Sequence, residues 1–335
     1  MQRLKQTKTL LKQYSFIEYK MKRYSFFMLA LFLSCCTEKE LTKNEIYEKC
    51  SSGVALVKVE YYAVFKMSDG AEIYGAEDVV GLDKSTFKPA VKYGTGFFVG
   101  DNGELITNRH VVEVDFSNSK LMVCNIIKSL IKINEENLQQ ANDAISAIGN
   151  STYSTQEECD YLMGVYQSAT FRRDSILNVI SYLKSAKIEA TEPYVKVSIG
   201  YKSLEFQPSC VVKKSSTVDL ALVQLESRVT PSSAYIFKIP EKDMEYNKLY
   251  MIGYNYGTEL ASTMNGLMPQ ITEGTVSQNI DNTKILYSIP ALPGSSGSPV
   301  INQYGELVAI NFAGISNTQS FNYGIKVNNL RDLMP

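Results

Sequence analysis

Two stretches of short β-runs flank one long stretch of a different period, and that alternation restricts the fold more than any other feature. Residues 54–65, 93–100 and 105–107 are rich in valine, tyrosine, phenylalanine and isoleucine. Asp101-Asn-Gly-Glu104 between the last two is a hairpin turn, because Asn-Gly supplies the positive φ that such turns require. The pattern resumes at 194–201, 209–213 and 220–225. It continues at 248–252, 271–276, 285–289, 299–302, 306–312 and 322–327. Many short strands at regular spacing predict closed β architecture. The runs fall into two groups and predict two barrels, one over 51–232 and one over 233–335, the second closed by a short helix at about 327–333.

The intervening residues, about 118–189, read as helix. Ile127, Ile131, Asn134, Leu138, Ala141, Ile145 and Ile148 step by four and three, and so do Leu162, Val165, Ala169, Arg172, Ile176, Val179 and Leu183. Each set makes a heptad-like stripe with one polar break. The turn at 149–155 separates them, and Ser154-x-x-Glu157 reads as a capping box for the second helix. An antiparallel helical hairpin, inserted in the first barrel, follows. At 1.5 Å per residue, Cys124 near its base and Cys159 near its tip would stand about 30 Å apart, too far to bond within one chain.

The composition is that of an ordinary globular protein, with 44% hydrophobic and 21% charged residues and a net charge of −1. No basic surplus points to nucleic acid. The apolar run at 24–33, behind the basic Met21-Lys-Arg23, is shorter than the ~20 residues of a membrane span and has a secretory-signal layout. Its Ser34-Cys-Cys36 ending resembles a bacterial lipoprotein signal. Ser34 favours Cys35 as the lipid-bearing residue, and Leu33 favours Cys36. Residues 1–36 then read as a lipoprotein-type signal and 37–50 as a tether, which places the protein in the periplasm or as a lipoprotein on the outer membrane. That compartment permits disulfides among Cys50, Cys124, Cys159 and Cys210. Their spacing suits no metal, and neither a metal nor another cofactor is expected.

The chain has one histidine, His110. A lone histidine is more often a surface or core residue than a catalyst. Two other segments supply partners for it. Ser-His-Asp chemistry needs a hydroxyl nucleophile, an imidazole to take its proton, a carboxylate to hold the imidazole, and N–H donors for the oxyanion. In Gly294-Ser-Ser-Gly297, Ser296 has the Gly-x-Ser-Gly surroundings, and the N–H groups of Gly294 and Ser296 can face an oxyanion. Ser295 and Ser298 lack those surroundings. Asp219 heads the apolar run Leu220-Ala-Leu-Val223, where a carboxylate is costly without a donor. Glu113 and Asp115 have no such run.

Together these segments resemble the chymotrypsin-like serine peptidase family in its bacterial HtrA/Deg branch. Gly94-Thr-Gly-Phe97, Thr107-Asn-Arg-His-Val111, Val218-Asp-Leu-Ala221 and Pro293-Gly-Ser-Ser-Gly-Ser-Pro299 carry the likeness, over about residues 51–117 and 190–335. The resemblance implies two six-stranded Greek-key barrels with the site between them. It makes His110 the base, Asp219 its orienter and Ser296 the nucleophile. It implies a serine endopeptidase with a polypeptide substrate. Ser298 stands where the family usually has glycine. Ser295 replaces the aspartate of digestive trypsins, which removes activation by a freed N-terminus. No PDZ domain is expected after the second barrel. The hairpin has no family counterpart and is expected to bind a partner, gate substrate or self-associate. No acid lies in 286–293, and Pro290, Ile310, Asn311 and Phe312 are expected to line an apolar pocket. The competing function is a non-catalytic or latent binding module in which the hairpin does the recognition.

Overall fold

The structure, a computed structural model, describes residues 39–152, 155–240, 246–279, 281–314 and 321–334. The signal, Cys35, Cys36 and Ser154 lie outside the described residues. Helix α1 (Lys43–Cys50) comes first and buries Ile46 and Cys50 completely. The expected tether is therefore folded from Lys43 onward, because two apolar residues one turn apart give that segment a buried side.

Strands β1 (Val54–Met67), β2 (Glu72–Ala76), β3 (Val79–Gly81), β4 (Ala90–Phe98) and β5 (Glu104–Thr107) lead to a short helix α2 (Arg109–Val112). Two long helices follow, α3 (Ser117–Gly149) and α4 (Gln156–Ser185). Strands β6 (Ile188–Gly200), β7 (Phe206–Lys214) and β8 (Ala221–Leu225) complete the first half. The second half holds β9 (Lys248–Gly253), helix α5 (Thr258–Ala261) and the β10–β11 pair (Ser262–Thr263, Gly266–Leu267). It ends with β12 (Gln270–Asn279), β13 (Lys284–Tyr287), β14 (Pro299–Asn302), β15 (Leu307–Gly314) and β16 (Asn322–Lys326).

Both halves close into six-stranded antiparallel barrels. The first runs β1-β4-β5-β8-β7-β6 and returns to β1, and the second runs β9-β12-β13-β16-β15-β14 and returns to β9. With the strands of each barrel numbered in chain order, both read 1-2-3-6-5-4. Each interior is filled by inward side chains. Val57, Val59, Phe98, Leu105, Ile199 and Val223 fill the first, and Leu249, Met251, Ile285, Tyr287 and Val300 the second. The closing element is a 3-10 turn at Val327–Leu330 rather than a longer helix.

β1 is longer than its barrel. Beyond the barrel wall, residues Ala63–Lys66 pair with β2 on one side, while β6 follows β1 on the other as far as Met67. This ribbon carries a small second core of Ala63, Phe65 and Val123, with Ile73, Val80, Phe116, Ile127 and Ile188 against it. Val123 and Ile127 belong to α3, so the satellite core fixes the helical arm to the first barrel. Fully burying a side chain such as Phe65 contributes about 1.5–3 kcal/mol. Polar ties add to it. Ser119 Oγ donates to the Glu77 carbonyl at 3.1 Å, and the Ser68 N–H donates to the Lys187 carbonyl at 2.9 Å.

The arm is the expected antiparallel hairpin, with helices of 33 and 30 residues. Its second helix begins one residue later than the sequence predicts. Thr155 is the N-cap, and Thr155 with Glu158 makes the reciprocal capping box, in place of Ser154 and Glu157. The seam of α4 keeps Leu162, Ala169, Ile176 and Leu183, but Val165 is exposed and the intervening inward positions are Arg173 and Ile180, not Arg172 and Val179. The four cysteines Cys50, Cys124, Cys159 and Cys210 are free.

Candidate active site

His110 and Asp219 meet directly. His110 Nδ1 lies 2.5 Å from Asp219 Oδ2, and the His110 backbone N–H donates to Oδ1 at 2.9 Å. One carboxylate oxygen thus holds the ring, and the other is taken by the main chain of the same residue. His110 sits in the short helix α2 just after β5, and Asp219 just before β8, the neighbour of β5 in the barrel. Adjacent strand ends deliver the pair. Burial pushes the Asp219 carboxyl up, but the two hydrogen bonds from His110, its charge and that of Arg109 outweigh burial and hold the group below its ordinary value. The carboxylate therefore stays ionised at neutral pH. It can hold Nδ1–H in place and leave Nε2 to face outward, on a side chain about half exposed (49%).

The segments around this pair are pinned from below. Asn108, fully buried, donates through Nδ2 to the Asp219 carbonyl at 2.9 Å, and Arg109 donates to the Ser215 carbonyl at 2.9 Å. Lys92 donates to the carbonyls of His110 and Glu113 at 2.8 and 2.7 Å, and so ties the turn that carries the imidazole to β4.

Ser296 comes from the other barrel, in the loop between β13 and β14. Leu292 to Ser295 form a tight turn closed by the Ser295 N–H on the Leu292 carbonyl at 2.9 Å. Gly294 has φ of +91° in that turn, which with Pro293 before it is the pattern of a type II turn. The Pro293 carbonyl accepts from the Tyr256 N–H at 2.6 Å. The N–H of the same peptide, that of Gly294, must then point the opposite way. Among the described residues neither the Gly294 N–H nor the Ser296 N–H donates to a protein group, so both are available to an oxyanion. Gly297, with φ of +88°, has no room for a side chain: a Cβ would stand 2.1 Å from the Thr95 carbonyl and 2.6 Å from Thr107 Oγ1.

That contact brings the serine loop to the strand that leads to the histidine. Thr95, fully buried in β4, donates through Oγ1 to the Gly294 carbonyl and through its N–H to the Ser296 carbonyl, both at 2.8 Å. Its Oγ1 also accepts from the Tyr254 N–H at 3.0 Å. Thr107 in turn donates to the Thr95 carbonyl at 2.7 Å. One threonine therefore ties the serine loop, the end of β9 and the strand leading to the imidazole. No hydrogen bond joins the Ser296 hydroxyl to His110 in this arrangement.

The expected pocket residues take different places. Ile310 is fully buried in the barrel. Asn311 is buried too and clamps the serine loop. Its Nδ2 donates to the carbonyl and hydroxyl oxygens of Ser295 at 3.0 and 3.1 Å, and its Oδ1 accepts from Tyr287 at 2.7 Å. Phe312 is half-buried and packs on Tyr323, and Pro290 is exposed. An open cavity of about 410 Å³ lies on the ribbon of β2, β1 and β6, lined by Tyr62, Tyr74, Lys84, Phe87, Pro89 and Tyr194. The positioning roles of Thr95, Lys92, Asn108 and Asn311 are not legible in the sequence. Thr95 and Asn108 lie inside the quoted motifs, but nothing in one sequence says that their side chains cross between segments.

The family model for a trypsin-like peptidase domain matches residues 94–310. A phytase model matches residues 46–139, a span that starts within α1 and stops within α3. No curated protein matches the sequence. Among solved structures, the serine endoprotease from Yersinia pestis aligns at 12% identity and a TM-score of 0.45, over 88% of this chain and 66% of that one. This chain spans slightly less than two thirds of that protein's length.

Proposed function

The chain belongs to the trypsin-like peptidase family, and on that premise we propose that it is a serine endopeptidase that cleaves polypeptides in the bacterial cell envelope. The observation that carries this reading is the 2.5 Å contact between His110 Nδ1 and Asp219 Oδ2, which leaves the other ring nitrogen free to act as a base. In the proposed reaction, Nε2 takes the Ser296 hydroxyl proton as Oγ bonds to the substrate carbonyl carbon. The carbonyl π pair moves to oxygen, where the N–H groups of Gly294 and Ser296 receive it. The imidazolium, steadied by Asp219, then protonates the leaving amine as the C–N bond breaks. Water, deprotonated by the same imidazole, hydrolyses the ester and restores Ser296. The envelope location rests on the 24–33 run and the Ser34-Cys-Cys36 ending, with Cys35 or Cys36 carrying a lipid. An acid-free 286–293 segment supports cleavage after small or medium apolar residues.

A second reading, a latent or non-catalytic module, has one observation behind it: the Ser296 hydroxyl is not bonded to the imidazole. Catalytic hydrogen bonds are often loose before substrate binds, so the peptidase reading is preferred. Labelling with a serine-directed fluorophosphonate separates the two. We expect the wild type to label at neutral pH, and Ser296→Ala and His110→Ala to lose labelling, with kcat on a cleavable peptide falling by about 10⁴-fold or more. An unlabelled wild type would favour the second reading.

A further inference from the structure

Lys92 holds the segment that carries the imidazole, and a second layer of residues sets Lys92 in its own place. Its ammonium donates to the carbonyls of His110 and Glu113 at 2.8 and 2.7 Å. The side chain is half-buried, and an ammonium in such a place needs opposing charge or an aromatic face beside it. Both are present. Lys92 Nζ lies over the Tyr61 ring, 5.6 Å from its centroid. Burial pulls the ammonium below its ordinary value, and the charges of Glu77 and Glu113 oppose that. Glu113 belongs to the held segment, so of these two acids only Glu77 acts from outside it.

Glu77 stands in the turn between β2 and β3. Its carboxylate accepts from the hydroxyl of Tyr61, which is only 5% exposed. Tyr61 keeps the proton for this bond, because burial and Glu77 both push the phenol well above its ordinary value. The backbone of Glu77 is left-handed, with φ of +51°. Glycine or asparagine adopts that conformation readily, whereas most residues with a Cβ do so at a cost. Strain held at a residue whose side chain is engaged points to a role for that side chain. The main chain of Glu77 has a separate anchor, the bond from Ser119 Oγ to its carbonyl at 3.1 Å.

We propose that Glu77 is a remote positioning residue for His110, acting through the Tyr61 ring and the Lys92 ammonium. Glu77 orients the phenol. The phenol face and the Glu77 charge keep the ammonium on the His110 carbonyl, and that contact fixes the main chain from which the imidazole projects. The route runs from a surface turn to the imidazole without passing through Asp219 or Ser296. It rests on the peptidase reading for what the ring does, and on the geometry alone for where the ring stands.

His110 is the only histidine, so isotope-labelled histidine gives one set of imidazole signals by NMR and reads the ring without catalysis. The variants are Glu77→Gly, Tyr61→Phe and Lys92→Met in the full chain, with Lys92→Arg as the conservative control. Glu77→Gly relieves the left-handed backbone and keeps the carbonyl that Ser119 bonds, so it should melt no lower than the wild type. It should nevertheless shift the His110 signals, as should Tyr61→Phe and, by more, Lys92→Met. On a cleavable peptide Lys92→Met should lower kcat about tenfold with KM little changed, and Glu77→Gly and Tyr61→Phe about threefold each. Lys92→Arg should retain most of the wild-type rate. Added to Lys92→Met, Glu77→Gly should change neither kcat nor the signals further, because the two act in series. Unmoved His110 signals in Glu77→Gly, or an equal effect of Glu77→Gly with and without Lys92, would overturn the proposal. A wild type that fluorophosphonate does not label counts against the peptidase reading alone, and the histidine signals then still decide the role of Glu77.

Discussion

Ser298 is fully buried, and its hydroxyl finds no partner among the described residues. It fills the space beside Gly253, where a Cβ would stand 1.9 Å from Ser298 Oγ, so the two positions are complementary in size. An unpaired buried hydroxyl costs about 1–3 kcal/mol. Ser298→Ala keeps the backbone and removes that cost. The variant should therefore melt a few degrees higher in a thermal scan, with catalysis unchanged, and a lower melting temperature would contradict this account. Legibility at this scale follows from chemistry. His110 is readable because it is the only histidine, and Asp219 because a carboxylate at the head of a buried run needs a donor. Thr95 and Asn311 are not readable in the same way. Threonine and asparagine are common in strands and turns, and hydrogen bonds that cross between segments leave no local signature.

At the scale of elements, the arm and the barrel strands are legible for different reasons. The strands show as runs bounded by turn residues, and the two long helices show through their repeat. The ends of the elements are less legible. Thr155 and Ser154 are both competent caps, and the choice depends on how α4 meets α3. The satellite core has no sequence signal, because Phe65 and Val123 are distant in the chain and join only when β1 runs past its barrel. Phe65→Ala should cost about 3–5 kcal/mol of local packing there. Hydrogen exchange should then speed up in α3 and in the outer part of β1, while a short peptide is still cleaved at close to the wild-type rate. Equal loss of protection in the second barrel would show that the arm is not anchored locally.

The whole molecule places His110 and Ser296 on different barrels, so the alignment that the proposed reaction needs depends on the contact between the two. Thr95 is the centre of that contact. Thr95→Val keeps the shape and removes the hydroxyl that bonds Gly294 and Tyr254. The Gly294 peptide would lose its anchor, and a shift of about 1 Å at a reacting group costs up to about 10²-fold in rate. The expected result is a fall in kcat of that order with KM little changed and both barrels folded. A fall confined to kcat/KM through KM alone would place the role of Thr95 in substrate binding instead.

The shared 1-2-3-6-5-4 strand order has a consequence for where new material can enter. His110 lies between the third and fourth strands of the first barrel, β5 and β6, and Ser296 lies between the third and fourth strands of the second, β13 and β14. His110 and Ser296 thus occupy the same slot of two like-wound bodies. In the second body the slot is a short loop, from the end of β13 at Tyr287 to the start of β14 at Pro299. In the first it opens from Thr107 to Ile188 and holds the whole arm. Closing a longer connection costs only about 0.6 kcal/mol per doubling, so the slot can be extended on one body while its twin keeps its length. The arm is therefore an outgrowth of the connector that bears the imidazole, and the connector that bears the hydroxyl has stayed bare.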